Sequence, residues 1–186
     1  MIINWIAPDP SLPVWFTADT HFRHVNINDY VLRPYASLDD MDADLIRRWN
    51  AVVAPGSLVF HLGDFAMGLP ARWAAIRHQL NGYIVLVLGN HDRSRSQMLG
   101  FGFDDVVRNV VVTVGGTRVW LNHYPIRPDG SRGPRRPLPP ADYDLALCGH
   151  VHDAWQIANG VVNVGVDVWD FAPTSLARIQ ARLSAL

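Results

Sequence analysis

Five short apolar runs in this sequence each end on Asp, Asn or His, and that pattern limits the possible folds more than any other feature. VWFTA (Val14–Ala18) leads into Asp19-Thr20-His21, LVFHL (Leu58–Leu62) into Gly63-Asp64, and YIVLVL (Tyr83–Leu88) into Gly89-Asn90-His91-Asp92. RVWLN (Arg118–Asn122) leads into His123, and LALC (Leu145–Cys148) into Gly149-His150-Val151-His152. VVNV (Val161–Val164) is a sixth run. Their length, β-branched content and flanking Gly, Pro, Asn or Asp predict buried strands rather than helices. Val106–Val114, Gly115-Gly116 and Thr117–Asn122 predict a β-hairpin. Strands lying side by side in one sheet would bring those terminal polar side chains to a common edge, where α/β sheets bind ligands.

Between the first two runs the spacing predicts a helix. Ser37 caps it, Asp39 and Asp40 sit in a first turn that favours negative charge, and Leu38, Met41, Leu45, Ile46, Trp49, Val52 and Val53 fall on one stripe. Asp42, Asp44, Arg47 and Arg48 are then expected to face outward. A second helix is expected from Pro70 through Trp73, Ile76, Arg77 and Leu80 to a stop at Asn81-Gly82. Helices alternating with strands, followed by a β-rich half, predict an α/β layered domain spanning residues 1–186 as one unit.

Carboxylates and imidazoles gathered at one edge are costly when buried without partners, and the carboxylates repel one another. Divalent cations remove that cost. The chain contains neither Lys nor Glu, so every carboxylate ligand, acid or base must be Asp, and lysine Schiff-base chemistry is impossible. A donor set of nitrogen and oxygen without thiolate suits Mn²⁺, Fe, Co²⁺, Ni²⁺ or Zn²⁺. Gly63, Gly89 and Gly149 precede donor segments, where a missing side chain permits a sharp turn and close approach.

The ordered series D-x-H, G-D, G-N-H-D, H and G-H-x-H, from about Phe16 to Asn163, resembles the calcineurin-like metallophosphoesterase superfamily. The segments TADTHFRHVNI, FHLGDF, LVLGNHDR, CGHVHD and NVGVDVW resemble its small bacterial and phage-related members. The resemblance implies a two-sheet β-sandwich flanked by helices, with a dinuclear centre at the strand ends. It implies that Asp19, His21 and His152 hold one ion, that Asn90, His123 and His150 hold the other, and that Asp64 bridges both. It places His91 near the substrate as general acid, oriented by Asp92. A hydroxide shared by two such ions would attack a phosphate ester, monoester, diester or nucleotide pyrophosphate, because paired ions lower the pKa of water towards about 7. Imidazoles titrate near 6.5 and suit the accompanying proton transfer. Phe65-Ala66-Met67-Gly68 follows Asp64 where the phosphoprotein phosphatases of the superfamily carry an Asp-Arg-Gly pattern, which argues against a phosphoprotein substrate.

His24 and Arg93 are further candidate substrate contacts. The Arg-rich loop Arg127–Pro140 could meet phosphate or stay solvated. His61, inside an apolar run, is expected to pack or to bond backbone, His78 to lie at the surface, and Cys148 to act as a small core residue. Asp167, Trp169 and Asp170 are expected to close the sheet structurally. A net charge of −1 supplies no field that would recruit nucleic acid or a membrane, so the expected partner is a small phosphate ester or nucleotide, with nucleic acid left open. No apolar run approaches the roughly 20 residues of a membrane span. One cysteine and an N-terminus without a basic leader predict a cytoplasmic setting. Two competing readings are a metal-binding interaction module on the same fold and a mononuclear zinc hydrolase, the latter without any H-E-x-x-H motif.

Overall fold

A computed structural model describes residues 3–5, 12–126 and 138–185. Among the described residues, eleven strands form two sheets. One has the order β11-β2-β3-β4-β5, from Thr174–Ser175, Val14–Thr17, Leu58–His61, Tyr83–Val87 and Asp105–Val107. Its four longer-range neighbours β2 to β5 are parallel, and β11 closes the edge antiparallel. The other has the order β1-β6-β7-β8-β10-β9, from Ile3–Trp5, Asn109–Val114, Thr117–Asn122, Leu145–Cys148, Val161–Asn163 and Ile157–Ala158.

Strand alternation explains the layering. Phe16, Phe60, Leu62, Val85 and Val87 face Val110, Val112, Val119, Leu121, Leu147 and Val162 across the sandwich. The intervening Val59, Ile84 and Leu86 turn outward onto Met41, Leu45, Trp49, Trp73 and Ile76 of the helices. With both faces covered, these strands read as unbroken apolar runs rather than alternating ones. Cys148 packs with Val111, Trp120 and Ala146 on the outer face of the second sheet, a small core residue as expected.

The first long helix, α2 (Leu38–Val52), begins where the sequence predicts. The Ser37 hydroxyl accepts from the Asp40 amide at 3.1 Å. It follows the four-residue α1 (Ile27–Tyr30). Asp42, expected outward, is buried, because its carboxylate accepts from the Arg23 amide at 3.1 Å and the Arg23 guanidinium at 3.2 Å. Helix α3 (Pro70–Arg77) ends one turn before Asn81-Gly82. Arg77 folds inward there, donating to the Leu80 carbonyl at 3.1 Å and the Asp104 carboxylate at 2.7 Å. Two further short α-helices among the described residues are α4 (Arg95–Gly100) and α5 (Leu176–Leu183).

One topological expectation needs correction. Val106–Val114 is not one hairpin arm: β5 pairs with β4 in one sheet, and after Arg108 the chain crosses to pair as β6 with β7 in the other. The hairpin proper is β6–β7, and its Gly115-Gly116 turn has positive φ at both residues (56° and 83°), as a type I′ turn requires. The five runs divide between the two sheets of the expected sandwich. β2, β3 and β4 lie in the first and β7 and β8 in the second, so their ends meet across one rim of the sandwich.

Candidate metal centre

Beyond the strand ends, the chain segments are knitted together by backbone bonds. The Asp19 amide donates to the Gly63 carbonyl at 2.9 Å, the His21 amide to the Asp64 carbonyl at 3.1 Å, and the Gly149 amide to the His123 carbonyl at 2.9 Å. Five donor-bearing residues adopt left-handed backbone there: Asp19 (φ 55°), His21 (49°), Asp64 (58°), His150 (73°) and His152 (49°). Residues other than glycine rarely adopt this conformation and pay for it in strain, so a run of them at one rim marks a functional site. Space is equally tight. A Cβ on Gly89 would overlap the Asp64 carboxylate, and one on Gly149 would lie 2.6 Å from Ala18 Cβ and 2.7 Å from Asp19 Oδ2.

The side chains form two triads. Asp19, His21 and His152 make one and Asp64, His123 and His150 the other, each with donor atoms within 4.8 Å of one another. Asp64 Oδ2 stands between them, 3.6 Å from His21 Nε2 and 3.5 Å from His123 Nε2. Asn90 joins the second triad, its Oδ1 lying 3.0 Å from His123 Nε2. Those separations, 3.0 to 3.6 Å, are within a few tenths of an ångström of a shared cation's, since donors each about 2.1 Å from one ion sit about 3.0–3.4 Å apart at octahedral or tetrahedral angles.

Protonation points the same way. His123 Nδ1 donates to the Leu62 carbonyl at 2.7 Å, so Nε2 carries the lone pair and faces the Asn90 and Asp64 oxygens, acceptor against acceptor. Burial lowers the His123 pKa to about 4, keeping the ring neutral. Both ring nitrogens of His21 are buried without a hydrogen-bond partner, an arrangement that costs about 1–3 kcal/mol per group unless something else binds them. Burial, then the neighbouring His152 and Arg33, hold the His21 imidazole far below its ordinary pKa. Burial pushes Asp19 well above the ordinary carboxylate range, and the Asp64 and Asp167 carboxylates push it the same way. The neutral His21 and His123 imidazoles and the reluctant Asp19 carboxylate suit divalent cations, whereas the Asp167 carboxylate beside His152 raises the pKa of that ring.

Of the side chains singled out in the sequence, Asp19, His21, Asp64, Asn90, His123, His150 and His152 therefore come together. His91 stands beside them, its Nε2 4.0 Å from Asp64 Oδ2 and its ring 5.4 Å from that of His21. Asp92 does not orient it. The Asp92 carboxylate instead accepts from the amides of Asp64 (2.9 Å), Phe65 (3.0 Å) and Gly89 (2.7 Å), fixing the backbone that carries Asp64. His24 lies at the rim, ring to ring 5.1 Å from His21 and 6.2 Å from His91. Arg93 turns away, its guanidinium 5.4 Å above the Trp73 ring and donating to the Gly68 carbonyl at 3.2 Å. Residues 127–137 of the Arg-rich loop lie outside the described residues.

Three further residues matter that the sequence reading left structural or unmentioned. Asp167 accepts from His152 Nδ1 at 3.1 Å, leaving the other ring nitrogen of His152 as the donor. Arg33, fully buried, binds Asp167 at 2.7 and 3.2 Å and donates to the Asp19 and Thr20 carbonyls at 2.7 and 2.8 Å. His61 links the first two loops. The Gly63 amide donates to its Nδ1 at 3.2 Å, so its Nε2–H donates to Thr20 Oγ1 at 2.9 Å, and that hydroxyl donates to the Phe65 carbonyl at 2.8 Å. Within NVGVDVW, Asp167 follows the last strand as the other donors follow theirs, a signal that could have found it. Nothing in the sequence around Arg33 marks it.

The chain belongs to the calcineurin-like phosphoesterase superfamily, whose domain matches residues 13–178. It is 31% identical over 173 residues to an uncharacterized protein of Methanocaldococcus jannaschii, covering 88% of this chain and 86% of that protein. It is 27% identical over 184 residues to the gene 66 protein of Mycobacterium phage L5, covering 83% and 86% respectively. Among solved structures, a protein of unknown function from Aquifex aeolicus superposes with a TM-score of 0.72 at 27% identity, covering 92% of this chain and 99% of that one. Membership of this superfamily, with the two clusters of Asp and His, makes the chain a metal-dependent phosphoesterase.

Proposed function

We propose that the chain hydrolyses a phosphate ester of a small molecule or nucleotide at the sandwich rim, with His91 as the acid. The observation that supports this best is the single oxygen, Asp64 Oδ2, lying between imidazoles of two donor triads at 3.6 and 3.5 Å. Asp19, His21 and His152 would hold one divalent cation; Asn90, His123 and His150 would hold the other, and Asp64 would serve both. Such a pair supplies Lewis acidity and lowers the pKa of water to near 7. Asp19 and Asp64 neutralise only half of its four positive charges, which leaves the rim attractive to phosphate. Arg33, Asp167 and Asp92 hold the donors in place before substrate arrives.

The departing oxygen must gain a proton. Among the imidazoles gathered here, His91 has the most open ring, 40% exposed, with Nε2 directed towards the Asp64 side of the site. That position lets it hold a proton where a leaving group would exit and then exchange it with solvent.

Chelator-treated protein is expected to lose hydrolysis of a generic phosphodiester and to regain it with Mn²⁺. His91→Asn is expected to lower turnover about 10²–10⁴-fold while the bound metal stays near two ions per chain. Full turnover in that variant removes His91 from the reaction. Absence of turnover on every phosphate ester at full metal occupancy overturns the hydrolytic function and favours an interaction module.

A further inference from the structure

The segment between His24 and Arg33 breaks an ordinary rule of surfaces. Among the described residues, the four most exposed large hydrophobic side chains are Leu32 (84%), Val25 (74%), Leu69 (71%) and Tyr30 (69%), and three of these lie within this one short segment. Single exposed apolar residues are unremarkable, but a cluster beside a site marks a binding surface. Leu32 is also held at φ 49°, a conformation that a bulky side chain adopts only when its surroundings impose it. Both ends of the segment are tied to the metal rim: His24 through its ring contacts with His21 and His91, and Arg33 through its buried bonds to Asp19, Thr20 and Asp167. The chain therefore presents apolar side chains from a fixed support, next to the proposed acid.

The rings are linked in a line of contacts through His24. His91 and His24 lie 6.2 Å apart, and His24 and Tyr30 lie 6.0 Å apart at 71°. The Asn26 side-chain Nδ2 donates to the Tyr30 hydroxyl at 3.3 Å, steadying the outermost ring and leaving the Asn26 Oδ1 at its border. A substrate whose phosphorus sits at the metal rim, with its leaving oxygen at His91, would extend its organic part along this line.

We propose that His24, Tyr30 and the flanking Val25 and Leu32 form the subsite for that organic part, and that it takes a nucleoside, with the base stacked on the exposed rings. Exposed aromatic faces favour planar aromatic groups over aliphatic chains through stacking. The Asn26 side-chain Oδ1 can accept a hydrogen bond from the edge of a base. This proposal rests on the phosphoesterase function but is tested without turnover.

Metal-loaded protein is titrated by calorimetry with adenosine 5′-monophosphate and with glycerol 3-phosphate, which share a phosphomonoester and differ in the organic part. The wild type is expected to bind the nucleotide about tenfold or more tightly than glycerol 3-phosphate. In Tyr30→Ala that ratio is expected to fall to near one, and Tyr30→Phe is expected to restore it. Tyr30 is exposed, so loss of folding does not confuse the result. A wild-type ratio near one overturns the proposal, as does an unchanged ratio in Tyr30→Ala. Concentration-dependent self-association of the wild type that Tyr30→Ala abolishes, with a ratio near one, reassigns the patch to a protein interface. A retained ratio in a protein that hydrolyses no phosphate ester overturns the reaction while sustaining the nucleoside subsite.

Discussion

The two halves of the metal rim are braced in different ways. The half built from Asp19, His21 and His152 rests on a buried ion pair, Arg33 with Asp167, whose side chains are 0% and 3% exposed. The half built from Asp64, His123 and His150, with Asn90, rests on backbone: the Leu62 carbonyl fixes His123, and three amides fix the Asp92 carboxylate beneath Asp64. A charged brace sets the tautomer and position of one imidazole through one chain of contacts. A backbone brace fixes a loop, and with it the carboxylate that both halves use. Damage to the first should therefore stay local, and damage to the second should spread.

The largest effect is expected at the residue the halves share. Asp64→Asn removes the charge facing both His21 and His123, and turnover should fall on the order of 10³-fold, the equivalent of several kcal/mol of transition-state stabilisation. Mass spectrometry should find both ions weakened. Loss of one ion only would mean that Asp64 is not shared.

Next come the braces themselves. Asp167→Asn should weaken one Mn²⁺ site about 10–100-fold by calorimetry and leave the other, as expected for a residue behind a ligand. The half-paired Arg33 should also lower the urea midpoint, since breaking a buried pair costs about 3–5 kcal/mol. Asp92→Asn should weaken both sites, because it shifts the loop carrying Asp64. Equal effects of the two substitutions would erase the distinction between the halves.

The smallest effect concerns His61, which ties the Asp19 and Asp64 loops together. Burial lowers its pKa to about 3. A group whose folded pKa is depressed from 6.5 adds stability that is complete above 6.5 and is lost as pH falls towards 3, because the unfolded chain takes up the proton first. His61→Gln should therefore cost about 1–3 kcal/mol at neutral pH. In metal-free protein, the gap in urea midpoint between wild type and variant should narrow as pH falls from 6.5. A gap independent of pH would show that burial does not depress the His61 pKa in the folded protein.

Much of this was legible in the sequence because strands buried on both faces leave long apolar runs, and their polar ends stand out against them. The α2 cap at Ser37 and the Gly115-Gly116 turn follow from local chemistry alone. The misjudged details depend on distant partners. Asp42 reads as a solvent residue until Arg23 meets it, and Arg108 reads as mid-strand because crossing between sheets leaves the chain extended. Asp92 sits next to His91 in sequence, yet the tight turn after Gly89 aims it at the amides of Asp64 and Phe65. Arg33 and Asp167 are 134 positions apart, and no local pattern joins them.

The most direct test is anomalous diffraction from crystals soaked in Mn²⁺. Two peaks are expected, one among Asp19, His21 and His152 and one among Asn90, His123 and His150, with the Asp64 carboxylate between them. A single peak, or peaks that leave His21 and His123 without an ion, would contradict the shared centre.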